Sequence, residues 1–167
     1  KTVIGSIVES IAADYNTEGS FKRLAEIFEN PSLQMVSFTI TEKGYGLKNP
    51  AGAYYGVVDH DISNGPESAL HTMSMIAALM VKRYLKGQFP VTLVSMDNCS
   101  HNGDKLKAGV LTIAEEWAGK GFVDKDFVTY LSNEDKVTFP LSMIDKITPR
   151  PAETVEKMLT DLGIGGM

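Results

Sequence analysis

The sequence lacks most of the features that assign a protein to a class at first reading. Its single cysteine, Cys99, excludes an internal disulfide and fits a reducing compartment, so we expect the cytoplasm. No apolar run approaches the ~20 residues that span a bilayer, and no secretory signal pattern is present. A net charge of -5 argues against nonspecific nucleic-acid binding, which needs a basic surface. We therefore expect neither a membrane nor a nucleic acid as partner.

Several motifs that reveal a reaction are also missing. There is no Gly-x-Gly-x-x-Gly after a predicted strand, no P-loop, no paired-cysteine zinc motif, no His-Glu-x-x-His and no Gly-x-Ser-x-Gly. The three histidines are scattered, so no metal site is expected. If the protein binds a dinucleotide, its phosphate-binding turn lies outside this chain.

Strand and helix patterns alternate along the 167 residues. Since a domain usually has ~100–200 residues, we expect 1–167 to form one domain. Apolar, β-branched stretches predict strands at Val3–Ile11, Leu33–Thr41, Pro90–Met96 and Val137–Ile147. Helical spacing predicts helices at Phe21–Phe28, Pro66–Gly87, Leu106–Trp117, Phe127–Leu131 and Pro151–Leu162. A long loop with a short hairpin at Ala53–Val58 is predicted for 43–65. This alternation predicts an α/β fold with a mainly parallel sheet and flanking helices.

The two ends of the chain favour a piece of a longer protein. The first residue is Lys1 rather than Met, and the last residues, Gly163 to Met167, close no recognisable element. The alternative is a domain expressed by itself.

A polar run follows the strand predicted at Pro90–Met96, at the point where that strand ends. Asp97 and Asn98 come next, and a helix start that contains glycine follows them. Open α/β sheets bind ligands outside the carboxyl ends of their strands. The Asn98 amide could donate a hydrogen bond to a carbonyl or alkoxide oxygen. Alternatively, the two residues form an Asx turn that caps the helix.

A second polar turn ends the strand predicted at Leu33–Thr41. Thr39, Thr41, Glu42 and Tyr45 bring hydroxyls and a carboxylate to this strand end, where they could hold ribose or nicotinamide groups. The alternative is ordinary turn chemistry around the neighbouring glycine.

A charged pair, Asp145 and Lys146, interrupts the apolar run between Ile144 and Ile147. Such a pair could be a buried functional group. Alternatively, it is a surface ion pair worth ~0–1 kcal/mol.

Three of these segments, in this order, resemble the long-chain mannitol dehydrogenases, a family that includes the fructuronate and tagaturonate reductases. The segments are Thr39–Tyr45, Ser95–Gly103 and Val137–Pro149, and the resemblance covers most of the chain. The last one is similar to a family signature whose core usually reads Val-Asp-Arg. This chain has Ile144-Asp145-Lys146 there, and Lys keeps the charge but lacks the bidentate fork of Arg.

The resemblance implies the later part of a Rossmann-like nucleotide-binding domain, incomplete in this chain. It implies NAD or NADP as cofactor, a polyol or hexuronate as substrate, and hydride transfer between a sugar alcohol carbon and the nicotinamide. Asn98 would help hold the reacting oxygen as a catalytic residue, and Asp145 would lie in the substrate pocket. Thr41, Glu42 and Asp97 would lie on the cofactor side. The catalytic lysine would lie outside this chain, which would be inactive by itself.

Two other functions remain open from the residues alone. The chain could be a complete, non-catalytic α/β module that binds a small ligand or regulates a partner. It could also be a different enzyme that uses Cys99.

Overall fold

The elements of the fold follow the apolar spacing of the sequence. The computed structural model describes residues 5–13, 19–145 and 153–163. Over these ranges the chain forms six α-helices and three strands, namely α1 (Ser20–Glu29), β1 (Met35–Phe38), α2 (Gly56–Asn64), α3 (Thr72–Gly87), β2 (Val91–Ser95), α4 (Asn102–Gly119), α5 (Lys125–Ser132), β3 (Val137–Thr138) and α6 (Glu153–Asp161). Short 3-10 helices lie at Glu42–Tyr45 and Pro66–Ser68. Among the described residues, none of the helices combines the length and the apolar composition of a membrane span.

The three strands form one parallel sheet in the order β1-β2-β3. Phe38 at the end of β1 is in register with Ser95 at the end of β2, so both carboxyl ends lie at one edge of the sheet. β2 is central, and its residues alternate between buried and half-buried, as expected for a strand covered on both faces. Helices connect each strand to the next. The predicted α/β fold with a parallel sheet and flanking helices is therefore confirmed.

The core lies between the sheet and the helices α3, α4 and α5. Its largest fully buried apolar side chains include Trp117 and Phe127, with Met73 and Leu106 beside them. Trp117 also donates its indole N–H to the carbonyl oxygen of Asp61 at 2.9 Å, so α4 is tied to α2 as well as packed on it.

The long loop predicted for 43–65 is wrong over its second half, where α2 forms. Val58 and Ile62 are one helical turn apart, and both are buried against the core. The hairpin predicted at Ala53–Val58 is also wrong, since the structure has an isolated antiparallel bridge between Lys48 and Tyr54 instead. The short apolar face of this helix was missed because glycines and prolines, which indicate turns, surround it in the sequence.

One predicted strand is absent over its described residues, and another is much shorter than predicted. Residues 5–11 of the stretch predicted at Val3–Ile11 form no strand, and residues 3 and 4 lie outside the described ranges. In the strand predicted at Val137–Ile147, β3 ends at Thr138, and residues 139–145 make no ladder with β2. Residues 146 and 147 lie outside the described ranges.

The helix predicted from Pro66 begins later, at Thr72, after the 3-10 turn Pro66–Ser68. The intervening backbone is held elsewhere, because the buried Asp61 carboxylate accepts the N–H groups of Leu70 at 3.0 Å and His71 at 2.7 Å. The last predicted helix is present over its described part, Glu153–Asp161, and residues 151 and 152 lie outside the described ranges.

The fully buried guanidinium of Arg83, on α3, is paired with backbone rather than with a carboxylate. Its five N–H groups donate to five carbonyl oxygens at 2.7–2.9 Å, those of Phe28, Asn30, Leu33, Phe89 and Pro90. Every donor of the guanidinium is therefore used. One side chain joins α3 to the end of α1, to the turn before β1 and to the approach to β2.

We expect Arg83→Lys to lower the free energy of unfolding of the 167-residue chain by about 1–3 kcal/mol, the cost of a buried polar group left unpaired. A lysine has two donors fewer and lacks the planar fork that reaches all five carbonyl oxygens, of which those of Asn30 and Phe89 keep a second donor, the Leu33 N–H and the Tyr130 hydroxyl. Urea unfolding followed by Trp117 fluorescence measures the change. The control is Lys86→Ala, which removes an exposed ion pair with Glu29 and should change stability by less than about 1 kcal/mol. Equal losses in both variants would contradict the role given to Arg83.

His71 caps the beginning of α3, and it can do so only as a neutral ring. Its Nδ1 accepts the backbone N–H of Met73 at 3.3 Å, which requires an unprotonated nitrogen. Burial lowers the pKa of His71, and the nearby Asp61 carboxylate opposes this only in part. The unfolded chain therefore binds a proton at this residue at a higher pH than the folded chain does.

We expect stability to fall as the pH drops below about 6.5, the pKa of an unfolded histidine, because protonation then favours the unfolded state. His71→Asn keeps a side-chain acceptor at the N-cap but does not titrate, so its stability should change less over this window. Urea unfolding at several pH values between about 5 and 7.5 tests this. The idea fails if both proteins lose the same stability over that window.

Candidate functional site

The ends of β1 and β2 bring the two predicted polar turns together. Met96 donates its N–H to the carbonyl oxygen of Phe38 at 2.7 Å, so the chain stays paired just past both strands. The Asp97 carboxylate then accepts the backbone N–H groups of Ile40, at 3.0 and 3.1 Å, and of Thr41, at 2.9 Å. The residues predicted around Thr41 and around Asp97 are therefore direct neighbours.

Asp97 is a buried, ionised carboxylate whose partners are all provided by the fold. Tyr45 donates its hydroxyl to Asp97 at 2.5 Å and lies 2.6 Å from the Ser95 hydroxyl. Burial by itself would raise the pKa of Asp97, but the hydrogen bonds from Ile40, Tyr45 and Thr41 outweigh it and lower that pKa. Burial, reinforced by the bond to Asp97, raises the pKa of Tyr45 to about 12. Tyr45 thus keeps its proton at neutral pH and donates it to Asp97.

Thr41 has a backbone conformation that L-residues rarely adopt. Its φ is 63° and its ψ is 159°, a region populated almost entirely by glycine. For a β-branched residue such strain costs about 1–3 kcal/mol, and it persists only where the surroundings hold it. The side chains of Thr41 and Glu42 are exposed at the rim of this edge, and Lys105 pairs with Glu42 at 2.8 Å. The Lys105 ammonium lowers the pKa of the Glu42 carboxyl.

Asn98 and Asp145 line one cleft of about 370 Å³. Its walls are the loop 97–102, which follows β2, and the segment 141–145, which follows β3. The Asn98 side chain is exposed, and no group in the described ranges makes a hydrogen bond to it. Asp145 is exposed as well, whereas its neighbour Lys146 lies outside the described residues. The structure therefore brings together the two residues predicted for the substrate side, although their roles stay predictions.

Asn102 is a residue of this site that the sequence analysis missed. It is 1% exposed at the beginning of α4. Its Nδ2 lies within hydrogen-bond distance of the carbonyl oxygens of Asp97 (3.1 Å) and Ser142 (2.9 Å) and of the Ser142 hydroxyl (2.8 Å). Its Oδ1 accepts the N–H groups of Gly103 and Ser142 at 2.8 and 3.1 Å. Ser142 also donates its hydroxyl to the carbonyl oxygen of Ser95. Asn102 thus fixes the two walls of the cleft to each other.

Gly103 allows the second wall to lie directly on α4. A Cβ at this position would meet the carbonyl oxygens of Pro140 at 2.5 Å and Phe139 at 2.7 Å, closer than real Cβ atoms come. The Asn-Gly pair at the start of α4 was the one signal in the sequence for this contact. Glycine within a helix lowers stability, so its presence there indicates that another segment lies close to the backbone.

Comparison with known proteins gives consistent similarities. Residues 3–162 match the family described as Mannitol dehydrogenase Rossmann domain. A D-mannonate oxidoreductase of Thermotoga maritima is 46% identical over 167 residues, which are 100% of this chain and 30% of that protein. A D-mannonate oxidoreductase of Escherichia coli is 31% identical, over 97% of this chain and 32% of its own.

A solved structure of Pseudomonas fluorescens mannitol 2-dehydrogenase, a ternary complex with NAD and D-mannitol, has a similar fold. Its TM-score is 0.66 at 28% identity, over 95% of this chain and 30% of that one. The chain therefore spans about a third of the length of the relatives that it matches.

We expect Gly103→Ala to lower the free energy of unfolding by about 1–3 kcal/mol, because the added methyl group forces residues 139–142 away from α4. Gly119→Ala is the matched control. It lies at the other end of the same helix, where a Cβ would meet nothing within 4 Å, and it should leave stability equal or slightly higher. Urea unfolding of both variants measures the difference, and a Gly103→Ala protein as stable as the control would show that the close contact is absent.

Proposed function

The chain belongs to the family of mannitol dehydrogenase Rossmann domains, and from this membership we propose that the full-length protein is an NAD(P)-dependent oxidoreductase of polyols or hexuronates. Residues 1–167 would be part of one nucleotide-binding domain. The observation that carries the proposal is the cleft at the carboxyl end of β2, where the Asn98 amide, unpaired within the described ranges, faces solvent beside Asp145. Ligands of open parallel sheets bind at this edge.

The proposed reaction moves a hydride between a carbinol carbon and the nicotinamide, which supplies the hydride acceptor or donor. During oxidation the hydroxyl proton goes to a base that we place outside this chain. The Asn98 amide donates a hydrogen bond to the reacting oxygen and stabilises the negative charge that develops there. The Asp145 carboxylate accepts hydrogen bonds from substrate hydroxyls across the same cleft.

The rim formed by Thr41 and Glu42 fits the cofactor side of this proposal. Both side chains are exposed next to the end of β2, and a hydroxyl and a carboxylate suit the hydroxyls of a ribose or the amide of a nicotinamide. A glycine-rich turn of the kind that holds a cofactor's phosphates does not occur among the 167 residues. We therefore expect the 167-residue chain to be inactive by itself and to bind NAD(P) weakly.

A sugar acid is the substrate that we favour. The relative with 46% identity is named for D-mannonate, a sugar acid, whereas mannitol dehydrogenases match at lower identity. We place the full-length protein in the cytoplasm, in keeping with the single cysteine of these 167 residues. The relatives do not favour a non-catalytic binding or regulatory module, since their names are those of oxidoreductases.

We expect Asn98→Ala in the full-length protein to lower turnover by ~10²–10³ on the preferred sugar acid or polyol, the usual cost of losing one such donor. The affinity for NADH or NADPH should change little, because the amide faces the reacting oxygen. Steady-state kinetics and a cofactor titration measure both quantities.

The control is Asn64→Ala, which removes an exposed asparagine of α2 whose amide donates to the carbonyl oxygen of His60. It should leave turnover unchanged. Normal turnover in Asn98→Ala would remove Asn98 from the mechanism. Absence of any sugar acid or polyol oxidation in the full-length protein would overturn the proposed function.

A further inference from the structure

The turn at Thr41 is strained, and the groups that hold it are buried beneath it. Thr41 has a φ of 63°, whereas the residues around it in the turn carry no such strain. Its N–H and that of Ile40 both point at the Asp97 carboxylate, at distances of 2.9–3.1 Å. Such a conformation persists only where its surroundings impose it.

Both oxygens of the Asp97 carboxylate accept hydrogen bonds from the turn at Thr41. It is 7% exposed, and its two oxygens already accept two backbone N–H groups and the Tyr45 hydroxyl. The Ser95 hydroxyl is fully buried and lies within hydrogen-bond distance of both Tyr45 and the Asp97 N–H. This arrangement differs from that of Asn98, whose amide faces solvent.

Tyr45 belongs both to the hydrogen-bond network around Asp97 and to the turn that contains Thr41. It is the last residue of the 3-10 helix that begins at Glu42, and its ring is buried. The turn therefore begins after β1, includes the strained Thr41 and ends at Tyr45. The Tyr45 hydroxyl donates to the same Asp97 carboxylate that accepts the Thr41 N–H. The side chains of Thr41 and Glu42 are exposed, whereas the backbone of the turn is bonded to Asp97, just after β2, and its last residue is bonded to Asp97 and Ser95.

We propose that Asp97 and Tyr45 are positioning residues for the cofactor, which hold the Thr41–Glu42 turn in the conformation that presents it to the nicotinamide side of the site. Asp97 acts through the backbone of Thr41 and does not touch the cofactor. This inference rests on the proposed function, because it takes the Thr41–Glu42 rim as the cofactor side.

Tyr45→Phe in the full-length protein is the first test. It removes the hydroxyl but keeps the buried ring, so the fold should be retained where Asp97→Asn could fail to fold. The dissociation constant for NADH or NADPH should rise at least about fivefold, since a hydrogen bond to a charged group is lost. The KM for the sugar substrate should stay within about twofold, because Asn102 holds the second wall of the cleft through its bonds with Ser142, which do not involve Tyr45.

Tyr54→Phe is the matched control. Tyr54 also donates its hydroxyl to a carboxylate, that of Glu116 at 2.9 Å, but on a surface away from the two strand ends. This variant should bind the cofactor as the unmodified protein does. A loss of affinity in both variants would assign the effect to general destabilisation and overturn the proposal.

Thr41→Gly separates positioning from general stability. Glycine adopts a positive φ freely, so with glycine at position 41 the conformation of the turn depends less on the hydrogen bonds to Asp97. In a Thr41→Gly background, Tyr45→Phe should change the dissociation constant by less than about twofold, a clear departure from additivity. An unchanged fivefold effect would mean that Tyr45 does not act through Thr41, and the proposal would fail.

Hydrogen exchange provides a readout that does not depend on activity. In the full-length protein without ligands, the amide hydrogens of Ile40 and Thr41 should exchange at least about tenfold faster in Tyr45→Phe and at an unchanged rate in Tyr54→Phe. Unchanged exchange in Tyr45→Phe would contradict the holding role. If the unmodified protein binds neither NADH nor NADPH, the proposed function fails and the cofactor role of this turn fails with it. If it binds and Tyr45→Phe binds equally well, only the positioning proposal fails.

Discussion

The guanidinium of Arg83 is the interaction on which most of this fold depends. The last carbonyl groups of a helix have no partners within the helix, and Arg83 donates to that of Phe28 in the last turn of α1. It also donates to the carbonyl oxygens of Phe89 and Pro90, which precede the central strand. One buried side chain thereby joins the end of α1 to the approach to β2.

Polar anchors therefore stand at both ends of β2. At its amino end Arg83 offers only donors, and the backbone offers only acceptors. At its carboxyl end the roles are mixed, since Asp97 accepts from the turn at Thr41 while Asn102 both donates to and accepts from the segment around Ser142. Because each of these groups is buried and paired, displacing either loop would expose or orphan polar atoms. The two loops of the site are thus held by a scaffold that resists small displacements.

The sequence was sufficient to predict the class of fold and the edge of the sheet at which the two polar turns meet. Both depend on local patterns, the apolar runs of β1 and β2 and the polar residues that end them. It was insufficient for α2, whose short apolar face lies among turn-forming residues, and for the end of β3, where contacts to Asn102 replace a ladder. Arg83 and Asn102 were not predicted because their partners lie up to 55 and 40 residues away in the chain. Such pairings leave no periodic signal.

β1 is an edge strand of the described sheet, and this matters when the 167-residue chain is studied by itself. Only one side of β1 is paired in the described residues, and Met35 on that strand is largely exposed. An unpaired strand edge offers a row of N–H and carbonyl groups to any other strand that approaches it. For the isolated chain, a strand of another copy could pair there, so an uncovered β1 edge favours association between copies.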